Sequence, residues 1–298
     1  MTLPGSSRLL LFVITVITSG FSRTCPAGAN TTTPGIASTN AALEEHVAKL
    51  QKQVPKGFTV VVQPPFVVLG DETPEMVQRH ATQTIKWAVD KLKQDYSKRD
   101  PDEIIDIWLF RDGDSYTNRA RSLFHETPTS RFGYYSETHH ALIMNIGTGG
   151  GTLVHEIVHP FMRASFPACP PWFNEGLASL YEASVEKNGH IHGSINWRLK
   201  GLEKAIREGK TISFQKLTSM TAAEFYGGET CSQHYAQARY LCYYLQEKGV
   251  LVKFFHKFVA AAKDDPTGYV TLGQVLGEKD MGAFRKKWEA FVLGIRGN

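Results

Sequence analysis

The sequence predicts an α+β fold: an N-terminal α/β lobe on a mixed sheet over residues 41–149, then a mostly helical C-terminal lobe over 150–298. Three observations carry that prediction. Short β-branched and aromatic runs, bounded by proline and glycine, fall in the first half and alternate with helical patterns. Beyond residue 150, apolar residues recur at intervals of three and four over long stretches, which is the helical period. Hydrophobic residues make up 42% of the chain, enough to bury a sizeable core as one large domain or two lobes.

At the start, Arg8 precedes the apolar run Leu9-Leu10-Leu11-Phe12-Val13-Ile14-Thr15-Val16-Ile17, and the small residues Thr18, Ser19 and Gly20 follow. That is the layout of a secretory signal peptide, assigned to 1–22, and the run falls short of the about 20 residues of a membrane span. The expected location is secreted or periplasmic; an uncleaved segment acting as a membrane anchor is the alternative. Residues 23–40, polar and Thr-rich around Asn30-Thr31-Thr32-Thr33-Pro34-Gly35, read as a flexible linker, and Asn30-Thr31-Thr32 has the form of a glycosylation sequon. In an oxidising compartment Cys169 could pair with Cys231, or these cysteines, like Cys242, stay buried thiols. Lys and Arg number 33 against 29 Asp and Glu, with no basic patch interleaved with aromatics, which argues against a nucleic-acid partner.

Within the first lobe, 58–62 and 66–69 are β-branched runs parted by Pro64-Pro65. Thr73 caps a helix with Pro74 at its first position, and Val77, Ala81, Ile85, Ala88 and Leu92 give it one buried face. The nearly continuous apolar run 104–110 reads as a central strand, 112–123 as a short helix and 141–146 as a further strand, preceded by a turn at His139-His140. The glycine-rich stretch 147–152 lacks the Lys-Ser/Thr ending of a phosphate loop and reads as a flexible turn.

The chemistry begins with His155-Glu156-Ile157-Val158-His159. At about 3.6 residues per turn, positions i and i+4 share a helix face, so His155 and His159 can aim their imidazoles at one point. Two neutral imidazoles and one carboxylate make a three-ligand site with its fourth position open, the catalytic form of a zinc site. Glu156, beside the first ligand, is placed to accept a hydrogen bond from metal-bound water and is the candidate general base. Pro160 removes the hydrogen bond to the Glu156 carbonyl, so a kink or early helix end is expected there. For the third ligand Glu175 is the best offer. It falls in the first turn of a second helix that Asn174 would cap, with Leu177, Leu180 and Tyr181 on its apolar stripe. Helices over 197–208, 235–248, 250–263 and 281–292 follow, while His190-Ile191-His192, set among Gly and Asn, reads as a loop.

His155-Glu156-Ile157-Val158-His159 followed by Trp172-Phe173-Asn174-Glu175-Gly176-Leu177-Ala178 resembles the zinc signature of the gluzincin metallopeptidases, the thermolysin and aminopeptidase N clan, whose second motif typically reads W-L-N-E-G-F-A. The resemblance is concentrated in 152–182, with weaker support over 141–147 and 234–246. It implies a zincin-like domain holding one Zn²⁺ through His155, His159 and Glu175, with Glu156 as base. It also implies an edge strand shortly before the zinc helix that pairs with extended substrate, which would bring Met144 and Asn145 near bound peptide unless that strand is simply core. A Tyr or His beyond the second motif should steady the oxyanion, a donor worth about 3 kcal/mol. Tyr235, in His234-Tyr235-Ala236-Gln237-Ala238, is chosen for that role, with His234 and Tyr226 behind it. Ser179 and Glu182 lie near the face of Glu175, either orienting a ligating histidine or simply solvated.

The expected protein is a secreted zinc-dependent metallopeptidase that hydrolyses a peptide or protein substrate through a zinc-bound water activated by Glu156, with no stable membrane insertion after signal removal. Lack of a Gly-x-Met-Glu-Asn motif tilts the expectation toward an endopeptidase. Two alternatives stay open: a catalytically idle module that binds zinc and peptide, or a zinc hydrolase of a non-peptide bond, since metal and base do not choose the scissile group.

Overall fold

A computed structural model describes residues 36–296, with residues 36–40 described by their backbone alone. The expected signal peptide, most of the linker and the sequon at Asn30 lie outside these residues.

The first element corrects the sequence reading. Helix α1 (Ile36–Gln53) begins inside the stretch assigned to the linker, because Ala41, Ala42, Leu43, Glu44 and Glu45 favour a helix. Its stripe of Leu43, Val47 and Leu50 packs on the sheet, and His46 Nε2 meets Asp106 Oδ1 at 2.8 Å. Strands β1 (Thr59–Gln63) and β2 (Phe66–Gly70) form a hairpin around Pro64-Pro65. Thr73 then caps α2 (Pro74–Arg79), accepting from the Met76 amide, and the helix continues through a π-helical stretch (His80–Lys86) into α3 (Trp87–Asp95). Next come β3 (Ile105–Phe110), α4 (Gly113–Phe124), capped by the Asp112 carboxylate, β4 (Gly133–Ser136) and β5 (Ala141–Asn145). The second half is α5 (Gly150–Ser165), α6 (Pro171–Tyr181), the hairpin β6 (Ser184–Lys187) and β7 (His190–Gly193), then α7 (Arg198–Arg207), α8 (Phe214–Ser219), α9 (Ala222–Tyr226), α10 (Cys231–Glu247), α11 (Leu251–Ala261), α12 (Tyr269–Leu276) and α13 (Met281–Gly294). The architecture is mixed α/β, with the strands of its main sheet gathered in the first half and helices dominating the second.

The sheet runs in the order β1-β2-β3-β5-β4; β2, β3 and β5 are parallel, and β1 and β4 are the antiparallel edges. This corrects the expected edge. The strand before α5 is not open, because β4 folds back on it and pairs Gly133 with Met144 and Ser136 with Ala141. Both faces of the sheet are covered, which is why β2, β3 and β5 are buried along their whole length. On one face Val67, Leu69, Trp108, Phe110 and Ile143 meet α1 and α4. On the other, Val68, Ile107, Leu109, Leu142 and Met144 join a core that continues without a break through Ile157, Trp172, Phe173, Tyr240, Phe254 and Trp288. The sheet therefore anchors the helical half directly.

His190 and His192 stand in β7 rather than in a loop. Asn188 and Gly189, at φ 54° and 81°, form the tight turn that joins β6 to β7, with Lys187 paired to His190. His139-His140 is a turn, as expected, with His140 at φ 48°. No helix among the described residues is long and apolar enough to cross a membrane.

Candidate metal centre

Two helices supply the site. α5 carries His155, Glu156 and His159, and it runs unbroken through Pro160 to Ser165 instead of ending early. α6 begins at Pro171, with Pro170 at its cap, so Asn174 lies inside the helix and is not its N-cap. Two glycines bring these helices to their places. A Cβ on Gly151 would lie 2.1 Å from the Glu182 carbonyl oxygen, so the first turn of α5 touches the end of α6. A Cβ on Gly176 would lie 3.0 Å from both the Ala238 carbonyl oxygen and Cys242 Sγ, so α6 presses directly on α10.

This packing gathers His155, His159 and Glu175 with their ligand atoms within 4.8 Å of one another. His155 Nε2 is 3.3 Å from Glu175 Oε2, and His159 Nε2 is 3.9 Å from Glu175 Oε1. Ligands at the usual zinc bond lengths in a tetrahedron lie about 3.3–3.5 Å apart, so the trio is near that spacing. Glu175 is 3% exposed and its Oε2 is buried without a hydrogen bond, a costly state unless a cation completes it. The Nδ1 atoms face away from the cluster. His159 Nδ1–H donates to Asn174 Oδ1 at 3.1 Å, while His155 Nδ1 faces Glu182 Oε2 at 3.6 Å, which leaves both Nε2 atoms for a metal. The three residues could hold one metal ion, and two imidazoles with one carboxylate are a donor set that suits zinc.

The electrostatics agree. Burial works against a charge on His155, yet the carboxylates of Glu175, Glu182 and Glu156 outweigh it and the imidazole is pushed up to about 10. Burial likewise opposes the charge on Glu175, but His159, His155 and the Tyr226 hydroxyl hold its carboxyl down to about 2. Glu182 is held down to about 2 against its own burial by His155 and Arg198. Without a metal the pocket keeps a proton on His155 where a cation is wanted.

Glu156 is half-buried on α5, and its charge adds to the upward push that burial gives the Tyr116 phenol on α4. Of the three candidate oxyanion donors, Tyr226 touches the ligand set, its hydroxyl donating to Glu175 Oε1 at 2.9 Å. Tyr235 is buried beside Tyr226 at a ring separation of 6.3 Å, and its hydroxyl is buried with no hydrogen-bond partner. His234 turns its Nδ1 to the Phe225 carbonyl at 3.0 Å.

Met144 and Asn145 are held by contacts of their own. Met144 is 1% exposed and packs in the core, where a Cβ on Gly133 would be 2.6 Å from its sulfur. Asn145 Nδ2 donates to the Arg131 carbonyl at 2.9 Å and braces the loop before β4. Ser179 is fully buried with its hydroxyl unpartnered and contacts neither histidine. Cys169 and Cys231 do not form the disulfide, and burial raises both thiols.

Sequence reasoning missed two members of this network. Glu182 Oε1 accepts from Asn196 Nδ2 at 2.6 Å and from Arg198 Nε at 2.9 Å. Nothing in the local pattern marks Asn196 or Arg198, which reach Glu182 because the β6–β7 hairpin returns the chain there. Compared with known protein families and with curated proteins, the sequence matches none.

Proposed function

We propose that the protein is a zinc metallopeptidase with a zincin-like arrangement of gluzincin type, exported by residues 1–22 and acting on peptide or protein substrates. One observation carries this reading: His155, His159 and Glu175 converge with both Nδ1 atoms turned outward, beside a carboxylate, Glu156, that is not needed as a ligand. A zinc ion in that trio supplies Lewis-acid chemistry, acidifying a water toward neutrality and polarising a carbonyl.

The chain's own residues do the rest. Glu156 takes the proton of the attacking water as the new C–O bond forms, then delivers it to the nitrogen as the C–N bond breaks. Tyr235, whose hydroxyl has no other partner, donates to the oxyanion, whereas Tyr226 is committed to Glu175. Asn174 holds the His159 imidazole in the tautomer that frees Nε2, and the Glu182 carboxylate faces His155 Nδ1 at 3.6 Å. An extended substrate finds its open edge at β4, not at β5.

The test is a mass-spectrometric digest of a complex peptide mixture by zinc-loaded protein beside Glu156→Gln. Cleavage by the native protein with loss of at least about 100-fold in the variant is expected of a general base. Full activity in the variant would remove Glu156 from the mechanism. No cleavage by either, in protein holding one zinc, would make the site a binding module or assign it a non-peptide substrate.

A further inference from the structure

Glu182 has more partners than the orientation of one histidine requires. Besides Asn196 and Arg198 Nε on its Oε1, it accepts from Arg198 Nη2 on Oε2 at 3.3 Å, the oxygen that faces His155 Nδ1 at 3.6 Å. Arg198 thus grips both carboxylate oxygens with its planar fork, a geometry that fixes orientation as well as charge. The guanidinium is itself confined. Its side chain is 13% exposed, and its Cζ lies 4.3 Å from the Trp197 ring centroid and 5.2 Å from that of Tyr235. Cation–π contacts with the two rings hold the fork in place, and the fork orients Glu182.

A carboxylate beside a ligating histidine has two possible fates. It can remain an outer partner on Nδ1, or it can swing inward and compete with Glu175 for the metal. Held by three donors from the segment after β7, Glu182 is confined to the first.

We propose that Arg198 is a positioning residue of the metal centre: it locks Glu182 against His155 Nδ1, keeps that carboxylate out of the ligand set, and ties the ligand set to the ring of Tyr235. This inference rests on reading His155, His159 and Glu175 as a zinc site and is independent of the substrate.

Charge alone predicts the opposite sign. A cation beside a bound dication repels it, so a purely electrostatic Arg198 would weaken zinc binding and its loss would strengthen it. Arg198→Lys separates the two roles, since it keeps the charge and loses the fork and the stacking.

The experiment measures zinc affinity of the full chain by competition with a chromophoric chelator, together with the visible absorption of the cobalt-substituted protein. The variants are Arg198→Lys, Arg198→Met, Glu182→Gln and the double variant Arg198→Lys/Glu182→Gln. Arg198→Lys is expected to lose about 10- to 100-fold in affinity, the range usual for an outer partner of a metal ligand, and to alter the cobalt spectrum. The double variant is expected to bind no more weakly than Glu182→Gln alone, because Arg198 acts through Glu182. Asn196→Ala, which removes one donor to Glu182 and no charge, gives a smaller loss of the same sign and serves if the Arg198 variants fold poorly. Wild-type affinity and spectrum in Arg198→Lys and Asn196→Ala, tighter binding in Arg198→Met, or independent losses in the double variant would each overturn the proposal. A wild-type chain that binds no zinc would overturn the site itself and this role with it.

Discussion

Asn174 Oδ1 lies 3.1 Å from His159 Nδ1, so the residue directly before Glu175 fixes the tautomer of His159. One dipeptide on α6, Asn174-Glu175, therefore serves both sides of the site. Asn174→Ala is expected to lower zinc affinity about 10- to 100-fold. Asn174→Asp, which keeps an acceptor at the same reach, should stay within a few-fold of the native chain. Calorimetric titration of both variants checks this; equal losses would mean that the side chain acts through packing.

Without metal, the charges of the site set a pH window for stability. His155 is raised from 6.5 to about 10, so its contribution is complete below 6.5 and is lost as pH rises through about 10. Glu175 and Glu182 are lowered from 4.5 to about 2, so theirs is complete above 4.5 and is lost as pH falls through about 2. The chelated protein should show its largest site contribution between pH 4.5 and 6.5 and weaken on both sides. Zinc replaces the His155 proton, so at pH 8 binding should release about one proton and the alkaline decline should disappear. Urea midpoints against pH, with and without zinc, measure this. Midpoints that climb steadily from pH 7 to 10 in the chelated protein would contradict it.

The proposed mechanism gives Tyr226 and Tyr235 different duties. Tyr226 donates to Glu175, and Tyr235 keeps an unpartnered hydroxyl. Tyr226→Phe should weaken zinc binding, because a ligand oxygen loses its donor. Tyr235→Phe should leave zinc binding intact and lower kcat on a cleaved peptide by about 100- to 1000-fold. Zinc titration and steady-state kinetics on both variants decide it. The reverse pattern would exchange the two assignments.

The readable parts of this chain were its unbroken apolar runs and its helical periods. Short apolar runs bounded by turn residues located β1, β2, β3 and β5, and the four-residue spacing put His155 and His159 on one face. The helix that carries Glu175 was legible from its apolar stripe of Leu177, Leu180 and Tyr181. Asn174 was misread as a cap although Pro170-Pro171 marks the true start, proline being favoured at the first helical position. β7 was misread as a loop although Asn188-Gly189 is the strongest short hairpin signal. β4 is four residues long and has no period to reveal it, so the neighbouring β5 was taken for the edge. Asn196 and Arg198 were invisible for another reason: their roles exist only through the turn of the chain that brings them to Glu182.

Pro160 gives α5 a consequence of its own. The helix runs through it to Ser165, yet proline has no amide hydrogen, so the rung that would join residue 160 back to the Glu156 carbonyl is missing. That rung spans nearly the same turn as the two imidazoles. A cation held in the proposed site by His155 and His159 would mend the ladder from outside, as a side-chain staple over a turn whose main chain is a bond short.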